Sequence, residues 1–218
     1  MIRHIGTLVR SELRNERRGG EVATVIIPFG AVALLVIPMA VGIETTLLAR
    51  IGPGLYWAVV LLFGMVVTQR QSAAADRPQR DLLTLLGVDP AARFAATALA
   101  STVLLAVFEV VMGAITIFLY DPTVAGWGWL AVILPLVAAG LALVGTIAVA
   151  VTSGLAGRAA LAPLLVAPMA IPILLGAAQA TEGLRAGAGI LRWVLVLAVV
   201  DVLLVLAGVL TARPLEES

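Results

Sequence analysis

Six stretches of this 218-residue chain are long and apolar enough to require lipid: residues 22–43, 54–67, 94–119, 127–152, 161–180 and 190–212. Crossing about 30 Å of hydrocarbon takes roughly 20 residues at about 1.5 Å each. The second stretch is short as written, but residues 51–54 and 68–69 extend it. In hydrocarbon every backbone N–H and C=O must be satisfied within the segment, so such stretches become helices. The expected fold is therefore an all-α integral membrane bundle of six transmembrane helices. Only 12% of residues are charged, against roughly a quarter in soluble domains.

The first apolar run is expected to persist as a membrane helix. It is too long for a signal peptide, and no small-x-small site leads into a polar mature sequence. The chain has no cysteine, which excludes disulfides, thiolate metal sites and thiol redox chemistry. It has no lysine either, so its 14 Lys/Arg residues are all arginine. Arg3, Arg10, Arg14, Arg17 and Arg18 precede the first span, and Arg70, Arg77, Arg80 and Arg93 surround the second loop. Arg158 separates spans four and five, and Arg213 follows span six. The opposite side holds only Arg50, Arg185 and Arg192. By the positive-inside rule both termini and the second loop are expected in the cytoplasm, as in a multi-pass protein of a bacterial inner membrane.

Three regions follow: residues 1–20, an interfacial amphipathic helix; residues 21–213, the six-span domain; and residues 214–218, a cytoplasmic tail. In the first, Ile2, Ile5, Leu8, Val9 and Leu13 fall near one face and arginines occupy the rest, with Gly19-Gly20 as the exit. Anchoring to anionic lipid is one reading of this helix, and contact with a partner is the other.

The loop 69–93 reads QRQSAAADRPQRDLLTLLGVDPAAR and is the most polar interior segment. Asp76 suits a helix cap, Pro78 the first turn and Gly87 the exit. Between them Leu82, Leu83, Leu85 and Leu86 form an apolar stripe, with Gln79, Arg80, Asp81 and Thr84 around it. A short amphipathic helix is expected, lying on lipid or on a partner. Asp89-Pro90 then caps the third span. The outer loops 44–53, 120–126 and 181–189 are brief, and Trp57, Trp127, Trp129 and Trp193 near the outer ends suit a membrane interface.

Glu109 and Asp201 lie deep inside spans three and six. An acid at the bilayer centre costs roughly 2.5–3.5 kcal/mol on insertion scales, so such groups face the bundle interior or a cavity. Protonation, or hydrogen bonds from Ser101, Thr116 or Thr146, would compensate them. Proton relay or substrate contact is one reading, and neutral packing the other. Span five carries Pro163, Pro168 and Pro172, each of which removes a backbone donor, so a kink or break is expected, as a hinge or as static packing. No P-loop, GxSxG or HExxH motif occurs, and His4 is the one histidine. The chain is therefore not expected to be an enzyme, and nothing in it suggests nucleic-acid binding.

The run LLARIGPGLYWAVVLL at residues 47–62 is similar to a segment of the haem exporter protein B family, the permease subunit of the cytochrome c maturation ABC transporter. AGWGW before span four, PLLVAPMAIPILL in span five and Glu12-Leu13-Arg14 resemble further family segments. The resemblance covers most of the chain and implies a type-2 ABC exporter-like permease. A separate cytoplasmic ABC ATPase would bind and hydrolyse the ATP. A haem-handling membrane subunit, and a second copy of this chain in a homodimer, would be its membrane partners. ATP hydrolysis would then support haem delivery or release of a haem-loaded chaperone, with haem handled but not bound covalently. The family's second loop carries a Gly-x-x-Glu-like turn, where Pro78 and Asp81 stand here. Arg77, Arg80, Asp81, Leu82, Leu83, Leu85 and Leu86 become the ATPase-coupling candidates, the leucines seated in a groove and the charges setting register. Met39, Met65, Met112, Met169, Tyr56 and Tyr120 are the weak haem contacts that the composition leaves, with packing as their default role. Two other readings stay open: an ABC-2-type permease for another hydrophobic substrate, and a non-transporting scaffold of a haem-handling assembly.

Overall fold

A computed structural model describes residues 2–20, 22–42, 44–73, 89–122, 126–152 and 158–212. Helix α1 (Ile2–Gly19) leads through one wide-wound turn (Val22–Ile26) into α2 (Ile27–Val41). Then come α3 (Thr45–Ala73), α4 (Pro90–Tyr120), a 3-10 turn at Trp127–Trp129, α5 (Leu130–Thr152), α6 (Arg158–Arg185) and α7 (Leu191–Ala212). Six of these are long and apolar enough to cross a membrane, and the described residues contain no strand. The six-span all-helical expectation holds.

Helix α5 is the axle. It packs on α3, α4, α6 and α7, and 67% of its most apolar window is buried, more than in any other span. Glycines let backbones close on it and on its neighbours: a Cβ at Gly145 of α5 would run into Thr68 of α3. With no hydrophobic force between helices in lipid, such small-residue contacts supply the van der Waals packing that holds a bundle together.

Prolines shape several of the helices. Pro38 in α2 offers no N–H to the Leu34 carbonyl one turn back. The Tyr120 hydroxyl, at the end of α4, donates to that carbonyl instead, at 2.6 Å. The expected cap of α4 is also present: Asp89 Oδ1 accepts from Ala91 N at 3.0 Å, with Pro90 in the first turn. Gly20 turns the chain after α1 with φ +64.

Three expectations need correction. Residues 45–53 are not an outer loop but the first turns of α3, with Pro53 inside the helix. Leu48 is buried and Gly52 lies against the Tyr120 ring, so packing on α4 overrides the Gly-Pro turn signal. Residues 181–185 likewise belong to α6, held by buried Thr181 and the Glu182–Arg185 ion pair at 2.9 Å. Trp57 is not an interfacial anchor. It is buried, and its Nε1 donates to Thr181 Oγ1 at 3.0 Å. Trp127 and Trp129 do stay exposed. Helix α6 continues past Pro163, Pro168 and Pro172, so the expected kink or break does not take the form of a break. Pro168 and Pro172 lie on the exposed side of α6.

Candidate functional site

Two places in the bundle concentrate polar chemistry: the buried acids at mid-span, and the end where α1 docks. Glu109 on α4 is fully buried, and neither carboxylate oxygen has a hydrogen-bond partner among the described residues. Tyr56 of α3 reaches the same residue, but its hydroxyl donates to the Glu109 main-chain carbonyl at 3.1 Å. The donors expected to compensate the acids do not do so. Thr116 donates to Met112 O at 2.8 Å and Thr146 to Ala142 O at 2.7 Å, each one turn back in its own helix. Ser101 Oγ is buried without a partner among the described residues. Hydroxyls in apolar helices bond their own backbone readily, which removes them from the pool.

Asp201 on α7 occupies a different seam. Gly140 of α5 makes its slot: a Cβ there would lie 2.6 Å from Asp201 Oδ1 and 2.9 Å from Ile173 Cδ1. The carboxylate thus sits where α5, α6 and α7 meet, buried and without a hydrogen-bond partner among the described residues. Tyr56 of α3 thus meets the Glu109 main chain, while Asp201 lies against α5 and α6.

At the α1 end, the N-terminal helix does more than lie on a surface. Leu8, Val9, Glu12, Leu13 and Glu16 are half-buried, while Arg10, Ser11 and Arg14 are exposed. Thr97 of α4 donates to Glu12 Oε1 at 2.9 Å. Burial pushes the Glu12 carboxyl above its ordinary value of 4.5, and the Thr97 hydrogen bond opposes the shift. Glu16 Oε1 accepts from Val22 N at 2.7 Å, satisfying a backbone donor at the buried start of the next helical stretch. Sequence reasoning missed this latch. Glu12 follows Leu8 by four residues and Val9 by three, so a carboxylate in the apolar stripe was the available signal.

The coupling candidates Arg77, Arg80, Asp81, Leu82, Leu83, Leu85 and Leu86 lie outside the described residues, as do the caps at Asp76, Pro78 and Gly87. What the structure does give is their frame. The segment connects the end of α3 to the Asp89-capped start of α4, two helices packed on each other. Four helical residues beyond that frame toward the bundle stands Arg93, and four more lead to Thr97 and the α1 latch.

A family model described as CcmB protein matches residues 3–217. The chain belongs to the CcmB family. A protein named Heme exporter protein B from Bradyrhizobium diazoefficiens is 26% identical over 184 residues, covering 84% of this chain and 83% of that one. The CcmB match therefore runs from α1 through α7 and takes in both the latch and the two acid seams. Most of the side chains set aside as weak haem contacts are engaged in packing in this CcmB bundle. Met112 and Phe108 face Gly30 of α2, Tyr56 and Tyr120 donate to main-chain carbonyls, and Met65 and Met169 pack on the core. Met39 is exposed.

Proposed function

We propose that this chain is the permease subunit of an ABC-type haem-export system for cytochrome c maturation, seated in a bacterial inner membrane with both termini in the cytoplasm. Membership in the CcmB family carries the reading, supported by the name of its Bradyrhizobium relative. The chain's six apolar helices are consistent with a permease, and a separate ATPase would hydrolyse the ATP. A haem-handling membrane subunit completes the proposed complex, whose task is haem delivery or release of a haem-loaded chaperone.

The proposed entry point for ATPase motion is the segment bearing Arg77, Arg80, Asp81 and the leucines 82, 83, 85 and 86. Leucines seated in a groove on the motor would supply affinity, and the charges orientation. From there α4 is the natural lever. It begins at the Asp89 cap directly after the segment and packs on α1, α2, α3, α5 and α7. A displacement of its first turns would be felt by nearly every span. Glu109, on this helix, would move against Tyr56.

The test has two arms. Leu82→Asp with Leu85→Asp should abolish co-purification of the ATPase subunit, and intact binding would overturn the coupling assignment. Deleting the gene should remove covalent haem from c-type cytochromes. Normal cytochromes would point to a different hydrophobic cargo, and maturation sustained by an ATPase-dead partner would point to a scaffold.

A further inference from the structure

The outward face of α6 is a poor surface for lipid. Leu164, Pro168, Ile171, Pro172, Leu175 and Gln179 recur at helical spacing and are all exposed. Ile173 packs against Gly140 beside Asp201, which puts Pro172 at the depth of that buried acid, well inside the span 164–185. Pro168 and Pro172 withhold the N–H groups that would serve the carbonyls of Leu164 and Pro168. Residues four apart share a helix face, so both acceptors lie on the exposed stripe. Among the described residues no side chain donates to either, in contrast to Leu34, whose carbonyl Tyr120 serves. Lipid tails have no donors to offer. The Gln179 amide, on the same stripe, adds two donors and an acceptor at membrane depth.

We propose that this stripe is a docking surface for a transmembrane helix of a different membrane subunit, one that presents hydroxyl or amide donors at the depth of residues 164–172. A second copy of this chain fits poorly. In a two-fold dimer about the membrane normal the stripe would meet itself at equal depth. At residues 164–172 it carries Leu, Val, Ala, Met, Ile and Pro, with no side-chain donor for the two carbonyls. A partner with serine, threonine, asparagine or glutamine there satisfies them, in the way neighbouring helices re-satisfy proline sites in membrane proteins. This inference does not depend on what the complex transports.

The chain lacks aromatic residues on the stripe, so a photo-reactive one is easily placed. Full-length protein with p-benzoylphenylalanine at position 171 or 175, made alongside its native membrane partners, is irradiated in membranes. Phe118, 87% exposed on α4, is the control position. Positions 171 and 175, but not 118, should cross-link to one other membrane subunit, at a helix carrying a donor side chain. Pro168→Ala with Pro172→Ala restores both backbone donors and should cut that yield by about five-fold, the scale of one or two interhelical hydrogen bonds. Alanine is the better helix former, so α6 itself should persist. Gln179→Leu should lower the yield independently. Lipid adducts alone, a cross-link to a second copy, or a yield indifferent to all three substitutions would each overturn the proposal. The cytochrome assay above is untouched by these outcomes.

Discussion

The hydroxyl of Tyr120 closes on the carbonyl of Leu34 at 2.6 Å, across the gap that Pro38 leaves in its own helix. One side chain on α4 thereby repairs the backbone of α2, and Gly52 of α3 lies flat against the same ring. Tyr120→Phe keeps the ring and removes the donor. It should lower unfolding stability in detergent by roughly 0.6–2 kcal/mol, the range for interhelical hydrogen bonds in membranes. Equilibrium unfolding in mixed micelles checks it, and an unchanged midpoint would mean that the Leu34 carbonyl finds another donor.

Gly140 and Asp201 form a close polar junction of the interior. Gly140→Ala would place a methyl 2.6 Å from the Asp201 carboxylate. Overpacking of this kind costs about 1–3 kcal/mol. Adding Asp201→Ala should recover part of the loss, because the two substitutions share one space. Recovery should be incomplete, since Ile173 still crowds the slot. Simple additivity in the double-mutant cycle would separate the two sites.

Trp57 and Thr181 hold α3 to α6 through a single hydrogen bond of 3.0 Å. Trp57→Phe and Thr181→Val should each destabilise the bundle, and together by less than their sum. The expected coupling is about 0.6–1.7 kcal/mol. A zero coupling term would show the bond to be energetically silent.

Docking of α1 should depend on pH through Glu12. Burial raises its carboxyl pKa above the ordinary 4.5 in the docked state. Docked α1 therefore holds the proton more tightly than free α1, and docking is strongest below the ordinary value. It weakens as pH rises from there through the raised value and then levels off. A nitroxide at Ser11→Cys, on the exposed side of α1, should gain mobility across that window. In Glu12→Gln the mobility should stay flat, since the amide oxygen still accepts from Thr97 without titrating. A pH response that survives Glu12→Gln would assign the effect to another group.

Much of this molecule is written along the chain. Apolar length alone predicts six spans that overlap the six observed, the start of α3 being the largest displacement, because hydrocarbon leaves the backbone no option but helix. The Asp89-Pro90 cap and the Gly20 exit were legible too, since each is a local arrangement of one or two residues. The limits of local reasoning show at Pro53 and Thr181. There turn-forming composition and the short outer loops it implies gave way to contacts from helices more than 60 residues distant.

The candidate site divides in the same way. That Glu109 and Asp201 are buried follows from sequence, because a charge-bearing residue at mid-span has few other places to go. Which helices enclose them does not. Periodicity says which side of a helix faces inward, but not which helix it meets, so the Gly140 slot and the Tyr56 contact were settled only by packing. The Glu12–Thr97 latch joins residues 85 apart, and the α6 carbonyls that no described side chain serves stand out only once Tyr120 is seen to serve the one on α2. Sequence by itself determined a six-span membrane bundle of helices and the concealment of its two mid-span acids. Tertiary structure decided which helix answers which, because hydrogen bonds and close contacts between helices depend on the meeting of side chains that no local pattern links.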